Sequence, residues 1–236
     1  SLSQCKPEID LFMTAGINHI IFHGTCYSPK DDAWPGCKCY ASVDMSPTNS
    51  VWRDAPAMFS YITRCQSFMQ YGTPDNDFLV YVPIYDMWQE NGGGLLMFDI
   101  HKRDRLAPRF ISSINSLVRS GYDCDYISDN FIRTLTISNG QLRTEGGAQY
   151  KALIIPGAKL MPHDILDKLL KLAKKGANIV FLDQYPTDVP GYNDLAARRK
   201  TFAKTIAQLK ECSMTSLSTV NAAPEEMKTK YGLSAI

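Results

Sequence analysis

A buried strand, a helix and a second buried strand follow one another between residues 150 and 182, and this pattern constrains the fold most. Residues 151–155 and 178–182 are short, apolar runs, as in strands that are covered on both faces. Between them, leucines recur at helical spacing over residues 163–175, so one helix face is apolar and lysines occupy the other. Strands joined in this way pair in parallel. The sequence therefore predicts an α/β domain with a mainly parallel sheet.

Further strands and helices extend this pattern on both sides. A turn-rich run at residues 72–77 marks the boundary with the preceding part of the chain, and we place the domain at residues 75–236. The predicted elements are a strand at 78–84, a long loop at 85–104, a helix at 107–119, a strand at 122–127, a short helix near 129–133, a hairpin at 134–145 around Asn139-Gly140, and a helix at 195–210.

Residues 7–72 show a different pattern. The spacing predicts a helix at 7–15, a strand at 17–22, an irregular loop over 26–50 and a helix at about 50–70. The strand has no second strand in this unit with which to pair, so its backbone groups need other partners. Because an unpaired strand edge promotes association, we expect copies of the chain to form a homo-oligomer through residues 1–74.

Composition limits the partners of the chain. Its 236 residues are 44% hydrophobic and 21% charged, with a formal net charge of +1. This balance argues against a nucleic-acid partner and against an anionic membrane surface. No uninterrupted apolar run approaches the roughly 20 residues that span a bilayer, so we predict no membrane partner.

Cysteine spacing argues against a metal site. The seven cysteines include no C-x-x-C pair, and Cys37 and Cys39 are too close in sequence to favour a bond between them. We therefore expect free thiols, no metal and no cofactor. The seven are Cys5, Cys26, Cys37, Cys39, Cys65, Cys124 and Cys212.

Several enzyme motifs are missing from the sequence. It contains no phosphate-binding P-loop, dinucleotide fingerprint, H-E-x-x-H motif or G-x-S-x-G elbow, and we expect Gly92-Gly93-Gly94 to form a loop without phosphate binding. The Ile-Ile-Pro-Gly turn at 154–157 resembles class I glutamine amidotransferases, which have a flavodoxin-like fold. Those enzymes need an activated cysteine at a strand-to-helix elbow, and neither Cys124 nor Cys212 lies at such a Gly-flanked elbow. We expect a catalytically silent relative; an amidotransferase-like hydrolase with an unrecognised cysteine is a minor alternative.

Polar and aromatic residues cluster at the end of predicted strand 17–22. Aromatic rings stack on sugar rings, while histidine and threonine hydrogen-bond to hydroxyl groups, so this mixture suits a carbohydrate ligand. One alternative is that Trp34, Tyr40 and Trp52 simply pack the loop onto its helix, and His19 is expected to be a core histidine. The candidate substrate-binding residues are His23, Thr25, Tyr27, Trp34 and Tyr40.

These motifs, taken as a set, resemble glycoside hydrolase family 106, the α-L-rhamnosidases. The resemblance spans roughly residues 7–190 and is carried by Gly16–Thr25, Tyr27–Pro29, Trp34–Gly36, Tyr40–Ser42, Trp52–Asp54, Tyr61–Ser67, Pro74–Asp77 and Tyr150–Gly157. It implies that residues 1–74 are the last part of a (β/α)8 barrel, with strand 17–22 as the final strand. Residues 75–236 would then be a three-layer, flavodoxin-like and amidotransferase-like domain without catalysis.

The resemblance also has implications for the catalytic carboxylates. Inverting glycosidases need one carboxylic acid and one carboxylate base, and no obvious pair lies in this sequence. We assign no catalytic residue here, expect the catalytic glutamates upstream of Ser1, and expect the chain alone to be inactive. A periplasmic or secreted bacterial location follows from the same resemblance.

A second hypothesis is a stand-alone flavodoxin-like binding or interaction module without catalysis, with residues 1–72 as an appended arm. Exposed apolar helix faces or an unpartnered strand edge would favour the glycosidase fragment. Full burial of these faces within one chain would favour the module.

Overall fold

The computed structural model describes residues 1–41, 43–90 and 107–232 of the chain. It divides into two compact units, Ser1–Thr73 (unit 1) and Pro74–Ile236 (unit 2). Among the described residues, no helix has the length and apolar character needed to cross a membrane.

The described part of unit 1 contains two helices, α1 (Leu2–Thr14) and α2 (Ala55–Met69). Helix α1 begins earlier than the predicted 7–15 and contains Pro7 in its second turn. Helix α2 begins later than the predicted 50–70, because Pro56 lacks an N–H group and suits the first turn of a helix. The two helices pack around a small apolar cluster of Ile9, Met13, Met45, Met58 and Ile62.

Residues 17–22, predicted as a strand, form no strand in the structure. The reason is that the described part of unit 1 contains no other strand with which they could pair. Side chains of α2 bind their backbone instead: Gln66 Oε1 accepts the N–H of Ile20 at 2.7 Å, and Gln70 Nε2 donates to the C=O of Asn18 at 2.5 Å. This segment is therefore held by a helix and not by a sheet.

Unit 2 is built on a five-stranded, wholly parallel sheet, which confirms the predicted α/β class with a mainly parallel sheet. The strands are β1 (Phe78–Tyr81), β2 (Cys124–Ile127), β6 (Ala152–Ile155), β7 (Asn178–Leu182) and β8 (Thr215–Ser218). The order across the sheet is β2-β1-β6-β7-β8.

Apolar side chains cover both faces of this sheet. Leu79 and Leu153 belong to one buried cluster, whereas their neighbours Val80 and Ile154 belong to the other. This alternation places helices on both sides of the strands. The helices are α3 (Ile84–Glu90), α4 (Pro108–Arg119), α5 (Asp129–Thr134), α6 (His163–Lys174), α7 (Leu195–Glu211) and α8 (Ala223–Tyr231).

A small antiparallel sheet completes unit 2, with strands β3 (Thr136–Ser138), β4 (Gln141–Arg143) and β5 (Gln149–Tyr150). Asn139 and Gly140 connect β3 to β4 with φ values of 51° and 75°, which confirms the predicted hairpin.

Four elements among the described residues were not predicted. Strand β5 adds a third strand to the predicted hairpin. Helix α3 lies where a loop at 85–104 was expected, and β8 and α8 lie in a region for which no elements were assigned. The remainder of that loop, including Gly92-Gly93-Gly94, lies outside the described residues.

Side chains fill the crevice at the carboxyl ends of β1 and β6. Both carboxylate oxygens of the buried Asp86 accept backbone N–H groups, from Lys159 at 2.6 Å and from Leu160 at 2.8 Å. Arg109 Nη1 donates to the C=O of Gly157 at 2.5 Å. Open α/β sheets bind ligands at this kind of position. Here the remaining cavity is ≈ 40 Å³, which is room for about one or two waters.

We predict that Asp86→Ala destabilises unit 2 by about 2 kcal/mol, because two backbone donors lose a charged acceptor. Hydrogen exchange at the Leu153 and Ile154 amides of the full chain should then accelerate roughly 30-fold. Asp75→Ala, which removes an exposed carboxylate, is the control and should leave these rates nearly unchanged. Equal effects from the two substitutions would contradict the assignment.

Candidate functional site

Residues 19–28 expose every second side chain. His19, Ile21 and His23 are exposed, whereas Ile20 and Phe22 are half-buried against the α1–α2 cluster. The alternation continues to Ser28, and it is the period expected of an extended segment with one face packed. The chain therefore has strand-like side-chain geometry here even though no neighbouring strand is present in the described residues.

The base of the following loop is closed by hydrogen bonds. Met45 donates its N–H to the C=O of Gly24 at 3.1 Å, and Thr25 Oγ1 donates to the C=O of Met45 at 3.2 Å. Within this 25–45 loop, the N–H of Cys37 donates to Ser28 Oγ at 2.8 Å. The loop is thus tied both at its base and across its two halves.

All five predicted substrate-binding residues are exposed. Tyr27 is 84%, Trp34 is 80% and Tyr40 is 100% accessible to solvent, and His23 and Thr25 are also in the exposed class. The alternative was that Trp34 and Tyr40 pack the loop onto α2. Their exposure shows that such packing does not account for either residue.

The packing alternative does describe Trp52. Its ring lies edge-on to Phe59 of α2, with centroids 6.5 Å apart. The prediction that His19 is a core histidine is wrong for this structure, because its side chain lies on the exposed side of the 19–28 segment. No strand partner covers that side within the described residues.

The structure brings two of the five candidates together in one groove of ≈ 450 Å³. Thr25 and Tyr27 line it, whereas His23, Trp34 and Tyr40 are not part of its lining. The volume falls within the range of small-ligand pockets. The other lining residues are Cys26, Ser28, Ser46, Pro47 and Thr48.

Sequence patterns did not identify the hydroxyl groups of Ser28, Ser46 and Thr48. Ser46 and Thr48 lie about twenty positions beyond Thr25, and the Gly24–Met45 hydrogen bond carries them back to the groove. No local periodicity encodes that pairing.

A buried carboxylate supports this groove from below. Asp44 is 6% exposed. Its Oδ2 accepts a hydrogen bond from Ser46 Oγ at 3.0 Å and forms a salt bridge with Lys38 Nζ at 3.2 Å. Its Oδ1 has no hydrogen-bond partner among the described residues. Ser46 Oγ also lies 3.0 Å from Thr48 Oγ1. Because the buried Ser46 hydroxyl donates its one proton to Asp44, Thr48 Oγ1 is the donor in this second contact.

The chemistry of the groove is that of a hydroxyl-rich surface beside an aromatic ring. Such a surface can hydrogen-bond a polyhydroxylated ligand and stack against its apolar face. Among the described residues, no cluster of three or more His, Cys, Asp or Glu side chains is arranged to hold a metal ion.

Comparison with known proteins assigns the family. The model of the α-L-rhamnosidase family, glycoside hydrolase family 106, matches residues 2–222. The chain belongs to this family. A Formosa agariphila protein named "Putative beta-glucuronidase" is 27% identical over 178 residues, which are 75% of this chain and 14% of that protein.

The solved structure of a rhamnosidase from Novosphingobium sp. PP1Y matches with a TM-score of 0.67 and 20% identity, over 95% of this chain and 20% of that one. This likeness supports a shared fold. This family 106 chain spans 14% to 20% of the length of these two relatives.

The cysteine most relevant to the amidotransferase alternative is unsuited to act as a nucleophile. Burial, followed by the neighbouring carboxylates of Asp125 and Asp123, raises the pKa of the Cys124 thiol on β2 to about 11. A nucleophilic cysteine needs the opposite shift, since the thiolate is the reactive form.

We predict slow alkylation of Cys124. At pH 8 a thiol with this pKa contains about 100-fold less thiolate than an unperturbed thiol, so iodoacetamide should label it correspondingly slowly. Peptide mass spectrometry of the full chain measures the rate, and the same cysteine in urea is the control. Rapid labelling of Cys124 in the folded chain at pH 6 would support the amidotransferase alternative instead.

We predict that Gln66→Ala accelerates hydrogen exchange of the Ile20 amide by about fivefold, because one hydrogen bond of about 1 kcal/mol is lost. Gln70→Ala is the matched control: it lies one turn along the same helix but binds a carbonyl group, so Ile20 should exchange at close to its original rate. Unchanged exchange in Gln66→Ala would show that the helix does not hold this segment.

Proposed function

We propose that this chain supplies a carbohydrate-contacting wall and a supporting domain to an α-L-rhamnosidase whose catalytic carboxylates lie in a preceding part of a longer protein. Residues 1–74 are the last part of a (β/α)8 barrel in this proposal, and residues 75–236 are the domain that follows. The observation that carries it is the exposed side of residues 19–27, which leads into the hydroxyl-lined groove. Membership of the family supports it.

The packing of residues 17–22 agrees with a barrel strand. In a (β/α)8 barrel, alternate side chains of each strand face the helices and the barrel interior. Ile20 and Phe22 face α1 and α2, so His19, Ile21 and His23 face the side where a barrel interior belongs. Active sites lie at the carboxyl ends of barrel strands, where this chain continues into Thr25 and Tyr27.

Exposed apolar residues in unit 1 favour this proposal over the stand-alone module. Ile21 and Phe68 are each 82% exposed, and Leu11 on α1 is 62% exposed. A module complete in one chain would bury more of this surface. Neighbouring barrel strands and helices would cover it in the longer protein; self-association through residues 1–74 stays a prediction for the chain alone.

The proposed role of the groove is to bind and orient the sugar. Tyr27 offers a ring face and Thr25 and Thr48 offer hydroxyl groups in the groove, while Trp34, outside its lining, offers a second exposed ring. Holding the glycoside in a fixed orientation lowers the barrier to attack by a water molecule on the anomeric carbon. Protonation of the leaving oxygen and activation of that water fall to a pair of carboxylates elsewhere in the enzyme.

Unit 2 has a supporting role in this proposal. Its strands, numbered along the sheet in chain order, follow the 2-1-3-4-5 arrangement of flavodoxin-like folds. The crevice where such folds bind ligands contains the Asp86 and Arg109 side chains, which leaves little room for a cofactor.

We predict that the longer protein hydrolyses an aryl α-L-rhamnoside and that the chain alone releases no nitrophenol from it. In the longer protein, Tyr27→Ala and Trp34→Ala should each lower kcat/KM by about tenfold or more, because an aromatic contact with the sugar is lost. Tyr192→Ala is the control, since Tyr192 is 94% exposed and lies in unit 2.

Two outcomes would contradict the proposal. Release of nitrophenol by the chain alone would place catalytic carboxylates within it. Equal activity of all three variants in an active longer protein would show that neither Tyr27 nor Trp34 belongs to the substrate site.

A further inference from the structure

Three of the seven cysteines lie together in the 25–45 loop. Cys26 follows directly after the base of the loop, and Cys37 and Cys39 lie on its returning half. Cys39 is among the close neighbours of the Cys26 side chain. Both residues are half-buried, whereas Cys37 is exposed.

The backbone explains why these two cysteines meet. The N–H of Cys37 donates to Ser28 Oγ at 2.8 Å, which places the two halves of the loop side by side. Moving two positions back from Ser28 and two positions forward from Cys37 gives Cys26 and Cys39. Residues related in this way face one another when two chain segments run antiparallel, and their Cβ atoms are then close to the separation that a disulfide needs.

We propose that Cys26 and Cys39 form a disulfide bond that closes the 25–45 loop, with a small-molecule disulfide such as oxidised glutathione as the oxidant. The Cys39 thiolate attacks the glutathione disulfide and releases one glutathione thiol. The Cys26 thiolate then attacks the mixed disulfide at Cys39 and releases the second. Two protons leave the cysteines, and their two electrons reduce the glutathione disulfide.

The order of attack follows from the surroundings of Cys26. Burial and the nearby Cys39, Asp44 and Cys37 raise the pKa of the Cys26 thiol, which lowers its thiolate fraction and disfavours it as the first nucleophile. It becomes the resolving cysteine, because the sulfur that it must reach belongs to a close neighbour.

The remaining cysteines are less suited to this bond. Cys37 is exposed and lies opposite Ser28, not opposite Cys26. Cys5 and Cys65 lie in the helices and pack against the α1–α2 cluster. Cys124 and Cys212 belong to unit 2.

Closing the loop would restrict the segment between the two sulfur atoms, which carries Tyr27 and Trp34. A disulfide reduces the number of conformations open to the chain that it encloses. The groove wall and the exposed rings would therefore become more rigid whatever ligand they bind, so this inference does not rest on the proposed function.

The experiment is peptide mapping of the full chain. The chain is equilibrated in a glutathione buffer that is oxidising or reducing, its free thiols are blocked with N-ethylmaleimide, and it is then digested with trypsin. Cleavage after Lys30, Lys38 and Arg53 separates Cys26, Cys37 and Cys39 into the peptides 1–30, 31–38 and 39–53. Fragmentation of a linked peptide distinguishes Cys26 from Cys5.

We predict a link between peptides 1–30 and 39–53 under the oxidising condition, at least about tenfold more abundant than under the reducing condition. The link should be lost in Cys26→Ser and in Cys39→Ser. Cys37→Ser is the matched control, two residues away in the same loop, and should retain it.

Three results would overturn the inference: no linked peptide under the oxidising condition, a predominant link between peptides 1–30 and 31–38, or persistence of the 1–30 to 39–53 link in Cys26→Ser. Because the readout is a covalent mass, each of these leaves the carbohydrate proposal to be judged by its own assay.

Discussion

Hydrogen bonding of one stretch of backbone, residues 18–25, determines what unit 1 can present to a ligand. This stretch has side chains arranged as in a strand but no strand beside it in the described residues. Its polar backbone groups must nonetheless be satisfied. Gln66 of α2 binds Ile20, Gln70 directly after α2 binds Asn18, and Met45 binds Gly24. These contacts fix which side chains point away from the helices, and so they define the candidate site.

The two units satisfy their backbones in different ways, and this difference separates scaffold from site. In unit 2 the parallel ladder pairs the strands with one another, and apolar side chains cover both faces of the sheet. Asp86 then closes the crevice at which ligands bind in related architectures. In unit 1 the exposed side of residues 19–27 remains open to solvent. The candidate ligand contacts therefore all lie in unit 1.

Local periodicity predicted most of unit 2 but not its edge. Strand β7 is a buried apolar run, and helix α6 repeats leucine at helical spacing, so both were assigned closely. Strand β8 is an edge strand of the sequence Thr-Ser-Leu-Ser, with Leu217 half exposed, and edge strands lack a continuous apolar run. Helix α8 is nine residues long, and its buried residues are Ala223, Pro224 and Met227, which is too weak a pattern to detect.

The candidate site was predictable only where its residues are neighbours in sequence. Thr25 and Tyr27 could be chosen because they follow an apolar run and differ from it in chemistry. Ser46 and Thr48 could not, because the hydrogen bond from Met45 to Gly24 is a long-range contact without a sequence signature. The missing strand is a related case: the residues suit a strand, but pairing requires a neighbouring strand that the described part of unit 1 does not contain.

The buried Asp44 shows why the 25–45 loop is more than a connection. A carboxylate in a poorly solvated position lowers stability unless cations or hydrogen-bond donors compensate for lost water. Lys38 and Ser46 compensate one of its oxygens, and both belong to the loop or its base. The same contacts hold the returning half of the loop beneath Ser46 and so fix the polar floor of the groove. A loop that only joins two elements can have the same length without a buried carboxylate. A loop that orients hydroxyl groups gains from one, because the carboxylate holds them by hydrogen bonds.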